Sequence, residues 1–158
     1  MTDFFQLKPL QSIQSERKIW YRNIQFLGMG GNAITYLVLC TSEFYKGIPF
    51  ALKVFRVISR EERKVKFLAE REFLETGCNH PSIMRVFDSG VFRNAQGEEF
   101  PFVVTEYLPL TLREVIRSQR VTIVEKTSYV LQLLSALSYL DTLAVPVVHR
   151  DIKPRTFF

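Results

Sequence analysis

Three stretches of the sequence carry residue types suited to handling a phosphate. The first is LGMGGNAITYLV, in which Gly28, Gly30 and Gly31 lie between two strand-like runs. Glycines in such a hairpin let backbone N–H groups approach an anion with no side chain in the way. An ordinary glycine-rich turn explains this stretch equally well. A Rossmann site or a P-loop does not, because each needs a helix directly after its glycines, and no GK[ST] follows. The second is Lys53, which breaks the apolar run at the middle of FALKVFRVI. By strand alternation it shares a face with Ala51 and Phe55, while Leu52 and Val54 point the other way. A cation there is either an exposed lysine on a half-solvated strand or a charge held beneath the glycine hairpin and paired with a carboxylate. The third is HRDIKPRTF near the end of the chain, bounded by Pro146 and Pro154. Asp151 can orient a hydroxyl nucleophile, and Lys153, two residues on, can neutralise a phosphoryl group in transfer.

These residues need elements to hold them. The chain has 158 residues, 47% hydrophobic and 23% charged, enough for one globular domain with a core of its own. Residues 1–20 are aperiodic and read as an N-terminal arm. Tyr21–Leu27, Ala33–Cys40, Phe50–Ile58, Met84–Phe92 and Phe100–Glu106 have strand character. The turn NAQGEE joins the last two. A helix is expected between the third and fourth strands, opened by a capping box at Ser59 and Glu62 and stopped by Gly77. A second capping box, Thr122 with Glu125, opens a long helix to about Leu143, with Val130, Leu133, Leu134, Leu137 and Leu140 as its apolar face. The layout is α+β: a five-stranded antiparallel sheet with one inserted helix, then a mostly helical part. The strand period gives way to the helical one near Leu108–Leu112.

Several function classes drop out. The net charge is +5, but the densest basic cluster, Arg60, Arg63, Lys64 and Lys66, alternates with Glu61 and Glu62 as on a solvated helix face. No nucleic-acid partner is expected. No apolar run reaches the ~18 residues of a membrane span, and the N-terminus has no secretory pattern. Two cysteines, Cys40 and Cys78, suit a reducing cytoplasm better than a disulfide scaffold.

Taken in order, the glycine hairpin, FALK, a helix glutamate, HPSIM, VTEYL and HRDIKP make the chain from Tyr21 onward resemble the eukaryotic-type protein kinase family, in its Ser/Thr branch. The resemblance implies a kinase-like small lobe and hinge over 21–108 and the start of a large lobe over 109–158. It implies ATP and Mg2+ as cofactors and a protein with a Ser or Thr hydroxyl as substrate. Gly28 and Gly30 would cover the phosphates, and Leu27, Ala51 and Leu108 would sandwich the adenine. Thr105 would stand behind the base, with the backbone of Glu106 to Leu108 as the hinge that binds it. Lys53 would contact the α- and β-phosphates and pair with Glu70, Glu72 being the reserve. Arg150 would await a phosphorylated segment, Asp151 would accept the substrate proton, and Lys153 would touch the γ-phosphate.

The sequence departs from the family's pattern at Ala33, where a third glycine is usual, and at Thr35, where an apolar residue caps the adenine. Thr156 replaces the metal-binding Asn, and a hydroxyl is a weaker magnesium ligand than an amide oxygen. The chain ends at Phe158, before the DFG segment and its magnesium-binding Asp, so on its own it is expected to be inactive. The alternatives are an ATP-binding pseudokinase or truncated scaffold fragment, and a small-molecule phosphotransferase of the kinase-like superfamily. Arg150, Lys153 and HPSIM speak against the last. The oligomeric state is not legible.

Overall fold

The structure is a computed structural model describing residues 5–31, 33–56, 65, 67–68, 71–72, 79–117 and 121–143. The ordered elements are β1 (Ser12–Gln14), β2 (Trp20–Met29), β3 (Ala33–Cys40), β4 (Pro49–Phe55), β5 (Val86–Arg93), β6 (Glu99–Glu106), α1 (Leu112–Arg117) and α2 (Ile123–Asp141). Two compact units divide the chain. The first comprises Met1–Cys78 and Arg85–Tyr107, the second Asn79–Met84 and Leu108–Phe158.

In the first unit the strands form one antiparallel sheet in the order β1-β2-β3-β4-β6-β5. The five expected strands are β2 to β6. The sixth, β1, comes from the arm, whose short SIQ run is too brief to show a period. Alternation explains the layering. Along β3, Ile34, Tyr36, Val38 and Cys40 are buried, whereas Thr35, Leu37 and Leu39 are half-exposed. The buried set joins Leu52, Val54, Phe102, Val104 and the arm residues Leu7 and Ile13 in one core. At ~1.5–3 kcal/mol for each large side chain, burial on this face is the main source of the unit's stability. The arm therefore belongs to the core of the first unit.

One polar pair lies inside that core. The Tyr21 hydroxyl donates to Asp88 Oδ2 at 2.8 Å, and the backbone N–H of Ser89 donates to Asp88 Oδ1 at 2.9 Å. Burial pushes the Tyr21 phenol well above its ordinary range, and the bond to Asp88 adds to the shift. Beside it, Gly90 lets the arm and β6 come close: a Cβ there would meet Phe102 Cζ at 2.6 Å and the Glu16 backbone nitrogen at 3.3 Å. Between β4 and β5, Val65, Phe67, Leu68, Arg71 and Glu72 are helical, with Phe67 buried and edge-on to Phe55 at 5.2 Å between ring centroids. The capping box at Ser59 and the stop at Gly77 lie outside the described residues.

In the second unit, Thr122 caps α2 as expected: its hydroxyl accepts from the Glu125 N–H, while Glu125 Oε2 accepts from the Thr122 N–H at 2.7 Å. Thr111 and Glu114 make the same box before α1. The segment at Asn79 and His80 is held against α2. Its Asn79 N–H donates to the Tyr139 hydroxyl at 2.9 Å, and His80 Nε2 lies 3.1 Å from Ser135 Oγ. The expected apolar face of α2 is only partly covered. Leu140 is buried and Leu133 and Leu137 are half-buried, but Val130 and Leu134 are exposed because no described residue packs over them. No helix among the described residues is long and apolar enough to cross a membrane.

Candidate active site

The glycine hairpin is built by two departures from a regular ladder. Asn23 pairs with Val38 and Gln25 with Leu37, so Ile24 is extra; Phe26 pairs with Tyr36 and Gly28 with Thr35, so Leu27 is extra. Each extra residue is a bulge that sharpens the local twist and re-aims the chain. Leu27, half of the expected adenine sandwich, is thereby taken out of the pairing pattern and is exposed. Past the second bulge the strands run to Met29 opposite Ile34, and the Gly30 N–H donates to the Ala33 carbonyl at 2.9 Å to close the turn.

A turn glycine is usually demanded by a left-handed backbone or by crowding. Neither applies here. Among the described residues, positive φ at a glycine occurs at Gly47 and Gly97 and not at Gly28, Gly30 or Gly31. Among the described residues, a Cβ added at Gly28 or Gly31 would find no atom within 4 Å, and at Gly30 the nearest is the Ala33 oxygen at 3.8 Å. No described residue of the first unit thus requires glycine at these positions. The hairpin leaves empty space that side chains would fill.

The lysine stands on the same face. Gly28 is opposite Thr35, Thr35 opposite Lys53, and Lys53 opposite Val103, in one row across four strands. Directly opposed residues share a face. Gly28 and Lys53 are therefore two strand steps apart, roughly 10 Å at ~4.8 Å per step. The next row holds Gln25, Leu37, Ala51 and Thr105. Ala51, Lys53 and Thr105 are so brought to one side of the sheet, away from Leu52, Val54 and Val104 in the core. Lys53 is exposed, and its ammonium sits 4.9 Å from the Phe55 ring centroid. The desolvation cost of a buried cation does not arise.

Among the described residues no carboxylate lies within ion-pair distance of Lys53. Glu72, the reserve partner, is helical and exposed, and Glu70 lies outside the described residues. Glu106 ends β6 at the edge of the first unit, and Leu108 belongs to the second. His149, Arg150, Asp151, Lys153 and Thr156 also lie outside the described residues. Asn23 and Tyr36, which anchor the hairpin strands to the arm, escaped sequence reasoning, since a buried Asn in a strand has no periodic signature.

A six-stranded antiparallel sheet that contains the five expected strands, with helical residues between β4 and β5 and a glycine hairpin on the face of a strand lysine, has the α+β protein-kinase-like fold. The model of the protein kinase domain matches residues 21–158, and the chain belongs to that family. It is 33% identical over 131 residues to a probable serine/threonine-protein kinase, SCO3848, of Streptomyces coelicolor, covering 81% of this chain and 19% of that protein. It is 27% identical over 106 residues to the serine/threonine-protein kinase PknG of Mycolicibacterium smegmatis, covering 67% of this chain and 14% of that protein. Against PknG of Mycobacterium leprae the figure is 28% over 110 residues, 67% of this chain and 14% of that protein. The chain thus spans less than a fifth of the length of each of these relatives.

Proposed function

We propose that this chain supplies the nucleotide-binding part of an ATP-dependent protein serine/threonine kinase. The reaction is in-line transfer of the γ-phosphoryl group of ATP to a Ser or Thr hydroxyl of a protein substrate. The observation that carries the reading is the hairpin whose glycines are required by no described residue, with Gly28 in one register row with Lys53.

In this reading Gly28, Gly30 and Gly31 let the backbone close over the phosphates, and Lys53 gives up its contact with Phe55 to meet the α- and β-phosphates. Glu70 is proposed as the carboxylate that then holds Lys53. Leu27 and Ala51 flank the adenine, Thr105 stands behind it, and the Glu106 backbone reads its edge. Leu108 is assigned to the adenine site by the family's sequence pattern alone, as are Asp151 for the substrate proton and Lys153 for the γ-phosphate. Little covalent chemistry is asked of the protein, since positioning and charge stabilisation lower most of the barrier. Magnesium would enter with ATP and neutralise its phosphate oxygens. Among the described residues no group of three or more His, Cys, Asp or Glu is gathered to hold a metal, so no metal ligand is assigned there. Thr156 is the candidate contributed by the catalytic loop.

A second reading, an ATP-binding pseudokinase, draws on Thr156 in place of the family's Asn. Incorporation of radiolabelled phosphate into a protein substrate by the longest natural form of the protein separates the two. Transfer that disappears in Asp151→Asn supports the enzyme. Nucleotide binding without transfer supports the pseudokinase, and no nucleotide binding refutes both.

A further inference from the structure

The arm is tied to the glycine hairpin by a set of bonds that its role as a core segment does not require. Asn23 is 4% exposed and sits on β2 directly before the first bulge. Its backbone N–H donates to the Gln11 carbonyl at 2.9 Å, and its carbonyl accepts from the Leu10 N–H at 2.9 Å. Its side-chain amide donates to the carbonyls of Leu7 at 3.2 Å and Lys8 at 2.9 Å. On β3, the Tyr36 hydroxyl accepts from the Leu7 N–H at 3.0 Å. Both strands of the hairpin are thus bound to the same few arm residues. The Tyr36 ring also stands edge-on to Phe26, its ladder partner between the two bulges, at 6.2 Å.

The arm is held against strain to do this. Leu10 and Lys18 have φ of 61° and 65°, left-handed values disfavoured for a residue that carries a side chain. Leu10 follows Pro9 in a turn closed by the Gln11 N–H on the Lys8 carbonyl, and Lys18 closes a turn on the Ser15 carbonyl. At its other end the arm reaches β5, where the Glu16 N–H donates to the Ser89 carbonyl at 3.2 Å. Arg71 on the inserted helix lies 3.3 Å from Glu16 Oε1. A glycine-rich, exposed strand end has a weakly determined register, so a contact outside the ladder helps to fix where it lies.

We infer that residues 5–19 are a strap that fixes the position of the glycine hairpin over Lys53, with Asn23 as its positioning residue. The inference rests on the reading of the hairpin as the phosphate site, but its first test does not. Asn23→Ala removes the two amide bonds to the strap. Ser42→Ala is the control, because Ser42 Oγ accepts from the Trp20 N–H at 2.9 Å and ties the opposite end of β2. Amide hydrogen exchange is followed in both variants by mass spectrometry.

Asn23→Ala is expected to speed exchange across residues 24–31 about tenfold or more, with β4 and β6 unchanged, whereas Ser42→Ala leaves the hairpin protected. Tyr36→Phe, which keeps the ring and loses only the acceptor, should show the same pattern at smaller amplitude and serves where Asn23→Ala does not fold. Exchange that rises equally in all strands, or no more than in Ser42→Ala, overturns the strap. In the second test, the Kd for MgATP should rise several-fold in Asn23→Ala and not in Ser42→Ala. Faster hairpin exchange in a protein that binds no MgATP supports the strap and refutes the phosphate site. Unchanged hairpin exchange in a protein that does bind MgATP refutes the strap alone.

Discussion

Replacing Gly28 or Gly31 with alanine separates what the hairpin does for the fold from what it does for a ligand. A Cβ at either position meets nothing within 4 Å, and neither residue has a left-handed backbone. With no clash and no φ penalty, the remaining effect is on the unfolded chain, which loses freedom when glycine becomes alanine. Stability should stay level or rise by roughly 0.4–1 kcal/mol per site. The ligand side has the opposite sign. A methyl group in the space above the hairpin keeps backbone N–H groups from the phosphate oxygens, and a hydrogen bond to a charged group is worth about 1.5–3 kcal/mol. That corresponds to a fall in MgATP affinity of roughly tenfold to a hundredfold. Urea unfolding gives the first number and calorimetric titration with MgATP the second. A variant that loses more than about 1 kcal/mol would show that the fold needs these glycines after all. A variant that binds MgATP as tightly as the parent would show that the empty space is not where the phosphates lie.

Three further outcomes follow from the fold. Tyr21→Phe should cost about 1–3 kcal/mol in urea unfolding, because it leaves Asp88 Oδ2 buried without its donor; a neutral substitution would mean the pair is not desolvated. Gly90→Ala should destabilise by about 1–3 kcal/mol through overpacking against Phe102, and an unchanged thermal midpoint would contradict the close approach. The bonds from the Thr122 backbone and hydroxyl hold the Glu125 carboxyl below its ordinary value. Its contribution to helix capping is therefore present above the ordinary glutamate value and is lost as pH falls from there through the lowered value it has in the folded helix. Circular dichroism from about pH 6 to about pH 3 should show a helical loss that is shallower in Glu125→Gln, since an uncharged amide still completes the box. Identical acid profiles would refute that cause.

The elements legible in the sequence were those with a period or a cap. Alternation marked β3 to the residue, and Thr122 with Glu125 marked the start of α2 because a capping box needs two side chains at a fixed spacing. Lys53 was legible for the same reason: a charge breaks an apolar run only where one face is open. The arm was not. Its three-residue β1 is too short to establish an alternation, and its hold on the sheet runs through Asn23 and Tyr36, whose partners are backbone atoms 15, 16 and 29 residues away. The bulges at Ile24 and Leu27 were equally hidden, because pairing register depends on the neighbouring strand. For α2, the apolar spacing announced a face to be covered but could not show that Val130 and Leu134 lie open.

The central claim is that Lys53 meets a nucleotide phosphate beneath the glycine hairpin. An acyl-phosphate derivative of ATP transfers its acyl group to an amine lying beside the bound phosphates, and peptide mapping identifies the lysine that received it. The account predicts labelling at Lys53, blocked by excess MgATP and lost in Lys53→Met, which should melt within about 1 kcal/mol of the parent because only an exposed cation–π contact is removed. Labelling spread over surface lysines and indifferent to MgATP would contradict it.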